Sequence, residues 1–118
     1  MRHQSGRKKL NRKSSHRIAL LRNQTIHLIK YGFLQTTRVK VKEVQKMAEK
    51  LVTVARNGYD FNTIRRIKQA LPYDQKAVEK LIKEIAPKYT ERPGGYTRVI
   101  PLGRRESDTA QIARLEWV

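Results

Sequence analysis

Cysteine is absent from this 118-residue chain, which excludes disulfide bonds and thiolate metal sites and fits a reducing compartment. Acidic side chains are scarce, 10 against 27 Lys and Arg, and the first 30 residues contain none. No apolar run approaches the roughly 18 residues that a membrane-spanning helix needs, and the N-terminus lacks the apolar core of a secretory signal. There is no internal repeat and no low-complexity segment beyond the basic N-terminal stretch. Hydrophobic residues make up only 38% of the chain. At this length about 60 to 70% of the unfolded surface is buried on folding, so a modest core and one domain are expected.

What the chain has in abundance is positive charge, a formal net charge of +17. It is unevenly spread. Residues 1–30 contribute +9, 31–60 contribute +3, 61–90 contribute +4 and 91–118 only +1. Nine unopposed cations repel one another, and a polyanion that neutralises them is the natural partner. A solvated face, a localisation tag or an organelle transit peptide would also be basic. Against the tag, Ser5, Asn11, Ser14, Ser15 and Asn23 interleave the cations with groups that hydrogen-bond phosphate and sugar. Against the transit peptide, the basic stretch runs without a linker into the first helix.

That stretch divides in two. Gly6-Arg7-Lys8-Lys9-Leu10-Asn11-Arg12-Lys13 has almost no apolar content and no period, so residues 1–13 are expected to form an extended arm. Ser14 and Ser15 are good helix caps just ahead of Ile18, Leu21, Thr25 and Leu28 or Ile29, a helical repeat that stops at Gly32. Phe33-Leu34-Gln35-Thr36-Thr37 reads as a short strand. Thr37 would cap a second helix, with Val41, Val44, Ala48, Leu51 and Ala55 inside, Lys42, Lys46 and Lys50 outside, and Asn57-Gly58 at its end. Phe61, Ile64, Ile67, Ala70 and Leu71 outline a third helix ended near Pro72, lined outside by Arg65, Arg66 and Lys68. Asp74 would cap a fourth, with Val78, Leu81, Ile82 and Ile85 inside and Pro87 at its end.

Beyond the turn Pro93-Gly94-Gly95, residues 96–102 and 111–118 read as a hairpin around Gly103-Arg104-Arg105-Glu106-Ser107-Asp108. In its second strand Ala113, Leu115 and Trp117 alternate with Ile112, Arg114 and Glu116. The fold class expected is α+β: about four helices packed on a small three-stranded sheet, residues 14–118 forming one domain behind the basic arm. Strand order is not readable from the pattern.

Catalytic and metal chemistry find no footing. Ser5-Gly6-Arg7-Lys8 matches a Ser-x-x-Lys pattern, but in an arm with no companion motif. His16 and His27 would share a helical face, yet eleven residues of helix separate them by about 16 Å. Glu79 and Lys83 are ordinary helix support at i,i+4. No cofactor and no small-molecule substrate are expected, nor is a membrane. Two binding classes stand beside a polyanion-binding arm: a helix-turn-helix DNA reader around Asn57-Gly58-Tyr59-Asp60, and a membrane-active basic peptide. Most cations lie outside the helix pair, and the large folded remainder weakens the second.

Met1-Arg2-His3, Gly6-Arg7-Lys8, Leu10-Asn11-Arg12, Ser14-Ser15-His16-Arg17, Arg22-Asn23, Thr36-Thr37, Lys42-Glu43, Glu49-Lys50-Leu51, Ala86-Pro87-Lys88-Tyr89 and Gly94-Gly95-Tyr96-Thr97-Arg98 occur in that order along the chain. In this ordered set the chain resembles the bacterial-type large-subunit ribosomal protein seventeen family over essentially its whole length. It departs in two places: the family's Ser-Gly-Arg usually stands one residue later, and Trp117 replaces a commoner small aliphatic residue. The resemblance implies a non-catalytic, α+β protein of the cytoplasmic large ribosomal subunit, bacterial or organellar, on the solvent side near the nascent-chain exit. It implies large-subunit ribosomal RNA as partner, with neighbouring proteins including large-subunit protein thirty-two. The RNA-binding residues expected are Arg2, His3, Arg7, Lys8, Lys9, Asn11, Arg12, Lys13, Ser14, Ser15, His16, Arg17, Arg22 and Asn23. The hairpin residues Arg98, Arg104 and Arg105 are expected to add a second contact, unless Arg105 pairs with Glu106 or Asp108 instead.

Overall fold

The computed structural model describes residues 14–58 and 60–118; the arm expected over residues 1–13 lies outside them. Helix α1 spans Ser14–Tyr31, β1 Phe33–Thr37, α2 Arg38–Ala55, α3 Phe61–Ala70 and α4 Gln75–Lys80, and the hairpin strands are β2 Thr97–Arg104 and β3 Gln111–Trp117. Four helices and a three-stranded antiparallel sheet make this an α+β fold, as expected. The sheet order is β1-β3-β2, with β3 in the middle. Leu34 stands opposite Leu115, and Val99 opposite Leu115 on its other side.

Helix α2 is the spine. Val41, Val44, Ala48, Leu51, Val52 and Ala55 recur at three- and four-residue steps and are all buried, the pattern of a helix covered along one face. Its first half meets Leu28, Leu34, Ala113 and Leu115 in a core between helices and sheet. Its second half meets Ile29, Ile67, Leu71, Val78, Leu81 and Tyr96 in a larger core among the helices. Trp117 packs against both cores, and its indole N–H donates to the Leu28 carbonyl at 3.3 Å. Tyr96 is fully buried beside Tyr89, and its hydroxyl accepts from the Arg56 guanidinium at 3.0 Å.

Several local expectations need correction. Ser14 and Ser15 already lie within α1 rather than ahead of it. Burial in α1 is confined to Thr25, Ile26, Leu28 and Ile29, and Ile18 is exposed. Thr37 does precede α2 in extended conformation, but its hydroxyl makes no capping bond. Phe61 is exposed because Thr63 and Ile67 occupy the buried side of α3, and a helix places Phe61 on the face opposite. Pro87 does not end the fourth helix: α4 continues through a π turn, Leu81–Ile85, and a 3₁₀ turn, Ala86–Tyr89. Proline is tolerated at the first positions of a helical turn, where its missing N–H has no partner to lose. The hairpin loop is shifted, since Arg104 still pairs with Gln111 inside the sheet.

Candidate nucleic-acid interface

The outward face of α1 follows from the helical period. Thr25, Leu28 and Ile29 turn inward, so His16, Asn23, His27, Lys30 and Tyr31 emerge opposite them, all exposed. Ser14 and Ser15 are exposed at the start of the helix. No acid lies on α1. Arg17 and Arg22 fall on its two flanks and are half-buried. Arg22 is engaged with the protein: it donates to the Gln69 carbonyl at 3.3 Å and lies 5.8 Å from the Tyr73 ring centroid. Lys30 is held by Asp74 at 2.6 Å. That hydrogen bond raises the Lys30 pKa; it also lowers that of Asp74, which accepts from the Ala77 N–H as the cap of α4.

The face continues onto the sheet. The His27 ring meets Tyr31 at 4.7 Å and the edge of Phe33 at 6.5 Å. Arg114 on β3 lies 4.2 Å above Phe33. Phe33, Glu116 and Arg98 form one row across all three strands. Glu116 accepts from Arg98 Nε at 2.9 Å and from Arg114 Nε at 3.4 Å, so two cations share one carboxylate and one positive charge is left over. This α1-to-sheet surface joins Arg98 to the helix through His27, Phe33 and Arg114. Sequence reasoning does not single out those three as part of this surface. The alternation of Ile112, Arg114 and Glu116 against the buried Ala113 and Leu115 is the available signal for Arg114.

At the far end of the hairpin, Arg105 makes a two-pronged pair with Asp108, at 2.9 and 2.6 Å. The pair holds the Asp108 carboxyl at about 2 and raises Arg105. Of the three expected hairpin contacts, then, Arg98 and Arg105 have internal carboxylate partners. Arg104 is exposed and has no ion-pair partner among the described residues. It faces a depression of about 210 Å³ that it shares with Arg38, Gln111 and Ile112. A second depression of about 490 Å³, between the start of α2 and β3, is lined by Arg38, Lys42, Thr37 and Gln111. Arg38, Lys42 and Arg104 thus border adjoining hollows whose lining residues include no acid.

Arg2, His3, Arg7, Lys8, Lys9, Asn11, Arg12 and Lys13 lie outside the described residues. Among the described residues no group of three or more His, Asp or Glu is placed to hold a metal ion, and no helix is long and apolar enough to cross a membrane.

Residues 20–118 match the family described as Ribosomal protein L17. The chain is 48% identical over all 118 of its residues to the large ribosomal subunit protein bL17 of Campylobacter lari, covering 99% of that protein. It is likewise 48% identical to bL17 of Campylobacter jejuni, with the same coverage, and 46% identical to that of Campylobacter hominis, covering 98% of it. An α+β scaffold with similarity that runs the whole length of the chain leads to one conclusion: the chain belongs to the ribosomal protein L17 family.

Proposed function

We propose that this chain is a structural, non-enzymatic constituent of the large ribosomal subunit that binds ribosomal RNA through residues 1–13 and the outer face of α1. The observation that carries the reading is the placement of charge: in a chain of a ribosomal family, nine cations and no acid fall in the first 30 residues. Such a segment neutralises phosphates where RNA helices converge, and releases their counterions on binding. The polar residues among the cations, Asn11, Ser14, Ser15 and Asn23, supply hydrogen bonds that set position rather than sequence preference.

In this reading residues 1–13 are an arm and residues 14–118 an α+β body that aims it. Arg104 and the Arg38–Lys42 hollow add a second phosphate contact, while Arg98 and Arg105 chiefly hold the hairpin in shape. The family resemblance further suggests a position on the solvent side near the nascent-chain exit, beside large-subunit protein thirty-two. Cell lysate fractionated after a high-salt wash tests the core of the reading. The protein should stay with large subunits, and its recovery in the soluble fraction would refute it. Cross-linking within intact subunits tests the position, which predicts links to protein thirty-two.

A further inference from the structure

Helix α3 carries its own basic and aromatic surface, which meets one of the residues expected to bind RNA, Arg22. Phe61, Arg65 and Lys68 stand at steps of four and three, so they rise on one face of the helix, with Gln69 beside them. All four are exposed, and Phe61 has 75% of its surface free, the largest value among the exposed large hydrophobic residues described. With the half-buried Ile64 they line an open recess of about 530 Å³. The strip runs on past α3, because the Gln69 carbonyl accepts from Arg22, and Arg22 in turn lies against Tyr73, itself 55% exposed. Two exposed rings thus flank a row of cations along a helix about 15 Å long.

No acid lies within α3. Asp60, at its start, and Glu79, across the shallow cleft from Lys68, form no ion pair with Arg65 or Lys68 among the described residues. An exposed phenylalanine contributes nothing to the core and leaves apolar area in water at a cost. A neighbouring protein chain could cover it. The unopposed Arg65, Arg66 and Lys68 beside it favour an anionic occupant whose own apolar face can lie on the ring, which describes an unpaired nucleotide.

We propose that the α3 face is a single-stranded RNA site. An unpaired base stacks on Phe61, Arg65 and Lys68 hold the adjoining phosphates, and the strand leads past Arg22 towards Tyr73. The inference rests on the RNA-binding reading above and adds a second, stacking mode of contact to it.

The test uses the full chain and fluorescein-labelled single-stranded decauridylate, with a duplex of equal length as comparison. Stacking on an aromatic ring accounts for about tenfold in affinity per base. Phe61→Leu should therefore weaken decauridylate binding about tenfold with the salt slope unchanged, and Phe61→Tyr should bind as the parent does. Binding to the duplex should not respond to either change. The double variant Arg65→Ala, Lys68→Ala should flatten the log-log salt slope by about 1.4, two single-strand phosphates at roughly 0.7 each. Ultraviolet cross-linking of the parent should mark Phe61 and Tyr73. Because Phe61 is exposed, circular dichroism of Phe61→Leu should match the parent. A parent that binds decauridylate while Phe61→Leu binds equally well would overturn this inference alone. A parent that binds no RNA would overturn it together with the reading it rests on. Unchanged RNA binding by Phe61→Leu with weakened docking to isolated large-subunit proteins would assign the face to a protein instead.

Discussion

Trp117 is the residue on which the two cores depend together. Its side chain packs against the helical core, where the Tyr89 ring is 6.4 Å away, and also against the core beneath the sheet. Its N–H shares the Leu28 carbonyl with the Gly32 N–H, which reaches the same oxygen at 2.9 Å. Truncating Trp117 to Ala should cost about 3 kcal/mol, near the lower end for a large core side chain because the residue is only half-buried. Trp117→Phe should keep most of the packing and lose the hydrogen bond, a difference of about 1 kcal/mol. Urea denaturation of both variants checks the order: Ala well below Phe, Phe slightly below the parent. A second residue-scale expectation concerns Asp108. Its carboxyl is held at about 2 in the folded chain by the hydrogen bond from Arg105, against an ordinary 3.8. A depressed carboxyl stabilises the fold above the unfolded value and loses that contribution as pH falls through the folded one. The stabilising effect on the hairpin loop should therefore fade between about pH 4 and pH 2. Side-chain carboxyl NMR should give a midpoint near 2 for Asp108 in the parent, moving back up towards the ordinary range in Arg105→Ala.

Gly32 ends α1 with φ +83 and an N–H bonded to the Leu28 carbonyl, the left-handed close that glycine adopts without penalty. A Cβ built there meets nothing within 4 Å, so Gly32→Ala isolates backbone strain and should cost about 1 kcal/mol. Thermal melting should show a small drop in midpoint with the two-state shape intact. Glycine and apolar spacing together make such elements legible: all four helices and all three strands can be read from period and punctuation. What periodicity cannot tell is whether anything packs on an apolar side chain. Ile18 and Phe61 fit the helical repeat and are nevertheless exposed, because burial in α1 starts at Thr25 and the buried side of α3 is set by Thr63 and Ile67. Pro87 misleads for a different reason, since a helix can pass a proline if it first changes its turn. For the site, the Arg105–Asp108 pair is legible at three residues' separation. The sharing of Glu116 by Arg98 and Arg114 is not, because it depends on strand order and register.

Across the whole molecule the two signs of charge have different duties. Glu43, Glu49, Asp74, Asp108 and Glu116, five of the 10 acids, are engaged in internal contacts. Glu49, for example, accepts from the Gly95 N–H at 3.1 Å and the Thr97 hydroxyl at 2.8 Å, pinning the turn that opens the hairpin to α2. The 27 cations outnumber such anchors, and their excess is densest where the chain begins. If that excess serves RNA, it must appear in the salt dependence of binding. Deleting residues 1–13 removes six cations and no acid. It leaves the acid side chains that anchor the fold in place, so stability should change little. Each phosphate that the protein ceases to neutralise flattens the log-log salt slope by about 0.7 to 0.9, so a truncation that frees roughly four to six phosphates should flatten it by about 3 to 5. Filter binding to large-subunit ribosomal RNA between about 50 and 200 mM salt, the range over which such phosphate pairing changes affinity by orders of magnitude, measures that slope for parent and truncated protein. An identical slope in the two would place the phosphate-binding groups on the body, at Arg38, Lys42, Arg104 and the α3 face, rather than on the N-terminal residues.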